Sequence, residues 1–89
     1  MIQTFIQTIP PILREMNSAV ALEDWGKLSR LAHQIKPSLA LMGMNELRSK
    51  VVYIEENGKS GTNAQDLPVI TSRFIQLCEQ IIPQLSRLV

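Results

Sequence analysis

Arg30-Leu31-Ala32-His33-Gln34-Ile35-Lys36-Pro37-Ser38-Leu39-Ala40-Leu41-Met42-Gly43 is the stretch that decides the fold. With Leu28 ahead of it, Ala32, Ile35, Leu39 and Met42 recur at steps of four and three, which lines side chains along one face of an α-helix. The chain's single histidine, His33, falls at the edge of that stripe, and Lys36 follows at i+3, about one turn on and on the same side. An imidazole and an ammonium therefore share one patch at the border between core and solvent. His-x-x-Lys alone is common on helices that carry no histidine chemistry, so its meaning depends on the residues around it.

Upstream, Ile2, Phe5, Ile6, Ile9, Ile12, Leu13, Met16 and Val20 keep helical spacing and predict a first helix over about 2–21. Pro10 and Pro11 remove backbone donors and crowd the preceding turn, so this helix is expected to kink or break near Thr8 to Pro10. Leu22-Glu23-Asp24 closes a hairpin, with Asp24 placed to cap a second helix over about 25–42 and Trp25 packing over the corner. Gly43 can take the left-handed conformation that ends it. Leu47, Val51 and Ile54 predict a third helix over about 45–57, with Asn57-Gly58 read as its stop. Lys59 to Gln65 has no periodicity and reads as a loop. Asp66 is placed to cap a fourth helix over about 67–88, with Pro68 tolerated in its first turn and Pro83 expected to bend it. Its apolar stripe is Leu67, Ile70, Phe74, Leu77, Ile81, Leu85 and Leu88. Four amphipathic segments with short connections predict an all-α fold, an antiparallel up-down-up-down four-helix bundle with a kinked or broken first helix, and 1–89 as one domain.

Composition narrows the function. The chain has 89 residues, 45% of them apolar and only 4% aromatic, which suits aliphatic helix packing around one modest core. Its net charge of +1 arises from interspersed signs, so no electrostatic footprint for nucleic acid or an anionic membrane is present. The one cysteine, Cys78, has no partner for an internal disulfide and lies in an apolar stripe, where a buried, inert thiol in a reducing compartment is expected. No apolar run approaches the roughly 20 residues that span a bilayer, and no signal peptide pattern opens the chain. The expected location is the cytoplasm. One histidine and one cysteine on different helices do not make a metal ligand set. A phosphate-cradling glycine loop is absent as well, so the chain has no kinase or nucleotide site of its own and is not expected to be an enzyme.

After His33 and Lys36 come Pro37-Ser38, Gly43 at ten positions beyond the histidine, Leu47 at fourteen and Glu55 at twenty-two. Together these residues resemble the histidine phosphotransfer (HPt) domain family, whose pattern runs roughly His-x-Leu-Lys-Gly-Ser, then Gly, then Leu, then Leu-Glu or Leu-Gln. The resemblance spans at least Trp25 to Glu55. It departs at Pro37, where the family most often has glycine. It implies that His33 is a phosphoacceptor, that Lys36 stabilises phosphoryl charge and that Ser38, matching the family's serine, adds a hydrogen bond or caps the bend. Implied partners are response-regulator receiver domains and a hybrid sensor histidine kinase. The chain itself needs no cofactor, since Mg²⁺ would sit on the receiver.

The bundle gives Glu55 a physical role. With the second turn centred on Met44, His33 lies eleven residues before it and Glu55 eleven after it, so both stand about 16–17 Å from the turn at a rise of 1.5 Å per residue. A carboxylate there can accept the Nδ1 proton, fix the tautomer and leave Nε2 as nucleophile. The docking face around His33 is expected to use Ser29, Arg30, Pro37, Ala40, Gly43 and Met44, whose small or flexible groups let a partner approach. The expected function is that of a phosphoryl carrier in a multistep two-component phosphorelay, acting as a monomer and exchanging phosphoryl groups with receiver aspartates. The alternative is an HPt-like adaptor that docks receivers or another helical partner without accepting phosphate.

Overall fold

The computed structural model describes residues 2–62 and 64–87, without the side chain of Ile2, so the expected roles of Ile2, Asn63 and Leu88 lie outside the described residues. Its elements are α1 (Ile2–Ala21), α2 (Trp25–Leu41), α3 (Asn45–Ser60) and α4 (Leu67–Ser86). Each helix packs on the next and α4 closes back on α1, which is the ring of neighbours of an up-down-up-down bundle. The molecule measures 39 × 21 × 17 Å. Among the described residues no strand forms.

The apolar stripes meet along the axis. Phe5, Ile9, Ile12, Leu13, Met16 and Ala19 from α1 bury against Leu28, Leu31, Ala32, Ile35 and Leu39 from α2, Leu47, Val51 and Ile54 from α3, and Leu67, Phe74, Ile75 and Cys78 from α4. Ile70, Leu77, Ile81 and Leu85 flank this centre half-buried, as does Trp25 at the head of α2. Thr71 on α4 is fully buried with no hydrogen-bond partner for its hydroxyl.

The expected break in α1 is absent: the helix runs through Pro10 and Pro11. An interior proline costs about 3 kcal/mol. Each large apolar side chain buried on either side returns about 1.5–3 kcal/mol, and four of them, Phe5, Ile9, Ile12 and Leu13, clasp the prolines into the bundle. Gln7, whose carbonyl loses its partner to Pro11, is exposed to water. Pro37 and Pro83 are likewise accommodated inside continuous helices.

Two turns position the central hairpin. After α1, Asp24 N–H donates to the Ala19 carbonyl (2.8 Å) and Glu23 N–H to Val20 (3.0 Å), with Glu23 itself at φ 55°. After α2, Met44 N–H donates to Leu39 (3.0 Å) and Gly43 N–H to Ala40 (3.1 Å), with Gly43 at φ 71°. Both are Schellman closures, and the second has the glycine that the left-handed position favours. The Asp24 carboxylate then caps α2 by accepting from Lys27 N–H (3.2 Å). Asp66 stands at the corresponding position before α4, but its side chain makes no cap hydrogen bond, which corrects the expectation placed on it.

The end of α3 is also corrected. Asn57-Gly58 does not stop the helix, which continues to Ser60 and closes at Gly61, φ 72°. Asn57 instead ties into the helix through its side-chain N–H to the Tyr53 carbonyl (2.8 Å), and Ser60 Oγ–H does the same to Glu56 (3.1 Å). Gly58 is helical and buried.

Candidate functional site

The α2–α3 hairpin brings three of the expected site residues together. His33 Nδ1–H donates to Glu55 Oε2 at 2.6 Å, and Lys36 Nζ donates to Glu55 Oε1 at 2.8 Å. One carboxylate on α3 thus bridges two side chains one turn apart on α2, which is the register that symmetry about Met44 requires. The three form a gradient of exposure: the side chains of His33, Lys36 and Glu55 are 69%, 30% and 18% exposed.

This geometry sets the tautomer of the neutral ring. The Lys36 ammonium, with help from the His33 ring, holds the Glu55 carboxyl below its ordinary value of 4.5, against the upward push of partial burial. An ionised carboxylate only accepts, so Nδ1 is assigned the proton, and in the neutral ring Nε2 is then the nitrogen with the free lone pair. The site therefore displays an oriented imidazole nucleophile on an open surface.

Lys36 was expected to face an incoming group, and at rest it is instead committed to Glu55. Ser38 lies away from the site, lining a shallow hollow on the α1 side with Thr4, Phe5, Thr8, Leu41 and Met42. Five residues after His33 on a helix turning about 100° per residue, it falls on a different face. Of the expected docking residues, Arg30, Pro37, Ala40 and Gly43 are exposed and Met44 is half-buried at the head of α3. Ser29 is corrected: it is only 8% exposed, and its hydroxyl donates to the Glu55 carbonyl at 2.8 Å, so it is part of the helix interface and not of the surface.

Two features escaped the sequence reading. Leu41, 68% exposed, lies eight residues beyond His33 and about 80° round the helix, toward the α1 side, where it lines the same hollow as Ser38. Gly58 was read as a helix stop, although its place fourteen residues after Met44 sets it opposite Ser29, fifteen before. Among the described residues no group of three His, Cys, Asp or Glu side chains comes together that could hold a metal ion, and no helix is long and apolar enough to cross a membrane.

With an exposed imidazole held by an acidic residue of the neighbouring helix in an antiparallel bundle, the sequence model of one family, the Hpt domain, matches residues 1–88. The chain belongs to the Hpt domain family. No curated protein and no solved structure matches it. Hpt domains are phosphocarrier modules rather than kinases, and their role is phosphotransfer in two-component phosphorelays, where they interact with receiver domains and kinases. That role agrees with the geometry of this Hpt domain, which holds an exposed imidazole against a carboxylate of the neighbouring helix.

Proposed function

We propose that this Hpt domain carries the phosphoryl group on His33 Nε2, receiving it from and returning it to the aspartate of a receiver domain in a multistep relay. The observation that carries this reading is the 2.6 Å hydrogen bond from His33 Nδ1–H to Glu55 on a ring that is 69% exposed. In the forward step the Nε2 lone pair attacks phosphorus, the bond from phosphorus to the aspartyl oxygen breaks, and that oxygen leaves as carboxylate. The ring becomes a phosphoimidazolium whose Nδ1–H strengthens its bond to Glu55 as positive charge develops. The return step is the reverse. A divalent cation needed to offset phosphoryl charge would be held by the receiver, and this chain's own residues only orient and bind.

Lys36 has three N–H donors and Glu55 occupies one of them. Its ammonium keeps Glu55 ionised at rest and offers its remaining donors to the phosphoryl oxygens when they arrive. The receiver approaches across Arg30, Pro37 and Ala40, small or flexible groups that let it reach Nε2, with Leu41, Gly43 and Met44 at the edge of its footprint.

The test is phosphoryl transfer from a phosphorylated receiver domain to the wild type and to His33→Gln, read by intact mass and by the acid lability of the adduct. The wild type should gain one acid-labile phosphoryl group and the Gln variant none. Because the ring is exposed, the unfolding midpoint should barely change. Acid-labile phosphate on the Gln variant would refute the assignment. Receiver binding without transfer to the wild type would leave the chain an adaptor.

A further inference from the structure

Ser29 and His33 are one turn apart on α2, and Glu55 and Gly58 are one turn apart on α3, so the two pairs form adjacent rungs of the same hairpin. On the second rung the Ser29 hydroxyl does not bond back within its own helix, the usual choice of a mid-helix serine, but crosses to the Glu55 carbonyl at 2.8 Å. Opposite it, a methyl group built on Gly58 would stand 3.0 Å from the Trp25 carbonyl oxygen, 3.3 Å from Ser29 Cβ and 3.4 Å from Ser29 N. Gly58 has an ordinary helical φ, so backbone freedom does not explain a residue that is the poorest interior helix former after proline. Close approach of the two helices does.

We propose that Ser29 and Gly58 are positioning residues for phosphotransfer, setting the separation and register of α2 and α3 so that the Glu55 carboxylate meets His33 Nδ1. This inference rests on His33 being the acceptor. Three residues of α2, Ser29, His33 and Lys36, grip the single residue Glu55 through its carbonyl and both carboxylate oxygens. The His33 bond, at 2.6 Å, loses its directing power within a few tenths of an ångström of separation. Two of the three atoms that crowd position 58 are backbone atoms and cannot swing aside, so an added methyl must push the helix axes apart by about that amount. Removing the Ser29 hydroxyl releases the same register from the other side.

The experiment uses phosphoramidate, which needs no partner protein: its P–N bond breaks, ammonia leaves and phosphorus bonds to Nε2. Rates of phosphorylation, ¹⁵N chemical shifts of the His33 ring and unfolding midpoints are measured for wild type, Ser29→Ala, Gly58→Ala and Ile75→Val. The last variant removes core packing on α4 and controls for lost stability. The wild type should show a protonated Nδ1 and an unprotonated Nε2, whereas Ser29→Ala and Gly58→Ala should show mixed tautomers and rates lower by about three- to tenfold, the scale of a small misplacement. Ile75→Val should keep the wild-type tautomer and rate. Unchanged tautomers and rates in both positioning variants, or equal slowing in Ile75→Val, would overturn the proposal while leaving His33 as acceptor. Phosphorylation of His33→Gln by the same donor would instead strike the acceptor assignment itself.

Discussion

Replacing Glu55 by glutamine should slow phosphoryl transfer more than its near-identical shape suggests, because the two oxygens of Glu55 serve two donors at once. Oε2 accepts from His33 at 2.6 Å and Oε1 from Lys36 at 2.8 Å, and a glutamine has only one oxygen to give. A hydrogen bond to a charged donor contributes about 1.5–3 kcal/mol against about 0.5–1.5 kcal/mol for a neutral pair, so the amide oxygen should turn to Lys36 and its NH₂ to His33. That NH₂ donates to Nδ1, selects the other tautomer and places a proton on Nε2, where the attack must begin. Losing a charge-assisted orienting bond of about 1.5–3 kcal/mol at about 1.4 kcal/mol per factor of ten gives roughly 10- to 100-fold, with the exposure of His33 favouring the lower part of the range. A quenched single-turnover assay with a phosphorylated receiver reads the rate directly. The decisive variant is the double substitution of Glu55→Gln with Lys36→Met, in which the amide oxygen is free to return to His33 Nδ1–H. Because Lys36 also offers donors to the phosphoryl oxygens, the readout of the double variant is the ring tautomer by ¹⁵N chemical shift, which should return to a protonated Nδ1. A Glu55→Gln rate within twofold of wild type, or an Nε2-protonated ring in the double variant, would refute this account of the bridge.

Thr71→Val should stabilise the protein by about 1 kcal/mol, since it exchanges a buried hydroxyl without a partner for a methyl of the same shape. Urea midpoints check this, and a loss of stability would show that the hydroxyl is bonded after all. The pH dependence of stability should show two flanks. Glu55 is held below its ordinary 4.5, so the support from its pairs is present above that value and is lost as pH falls through the lower, folded-state value. Burial, with the Glu79 charge adding to it, pushes the Cys78 thiol from 9.0 up to about 12. Below pH 9 both folded and unfolded chains keep that proton. Between pH 9 and about 12 only the unfolded chain releases it, so stability should fall by about 1.4 kcal/mol per pH unit there. Denaturation of Cys78→Ala alongside wild type isolates this term, and identical alkaline slopes would contradict it.

The bundle was legible because its determinants are local and repetitive: the stripes through Phe5 to Ala19 and Leu28 to Leu39 state which faces are buried, and Gly43 states where the hairpin turns. The pairing of His33 with Glu55 was legible too, since equal distances from a known turn fix the register of an antiparallel pair. Misreadings arose where a residue's local preference competed with packing. Pro10 and Pro11 argue for a break from local rules alone, yet the apolar residues on both sides outweigh that cost once α2 and α4 are in place. Gly58 argues for a stop, yet its lack of a side chain is used for contact with Trp25 and Ser29 across the hairpin. Ser29 looks like a surface serine until the carbonyl of Glu55 comes within 2.8 Å of it. In each case the deciding partner lies on another helix, and neither spacing nor propensity records it. The Lys36 pairing was hidden for a related reason: one helical turn places Lys36 near His33, but only the hairpin shows that both reach the same carboxylate.

A carrier must hold its phosphoryl group long enough to hand it on, and on the proposed reading the bridge that would activate His33 would also limit loss to water. Hydrolysis at an exposed phosphohistidine is fastest where a basic group can take a proton from the attacking water. The carboxylate nearest the ring is Glu55, and both of its oxygens are already engaged, Oε2 by His33 and Oε1 by Lys36. Its carboxyl is also held below its ordinary value, chiefly by Lys36, which makes it a weaker base than a free glutamate. It sits on the Nδ1 side of the ring, whereas the phosphoryl group would project from Nε2 into solvent. Orientation would thus be supplied from the Nδ1 side of the ring, by a carboxylate whose two oxygens are already engaged. On the proposed reading, the acceptor aspartate and the cation that assist reaction at phosphorus would arrive with the docked receiver, so transfer is expected to be fast when a partner is present and slow when water is the acceptor.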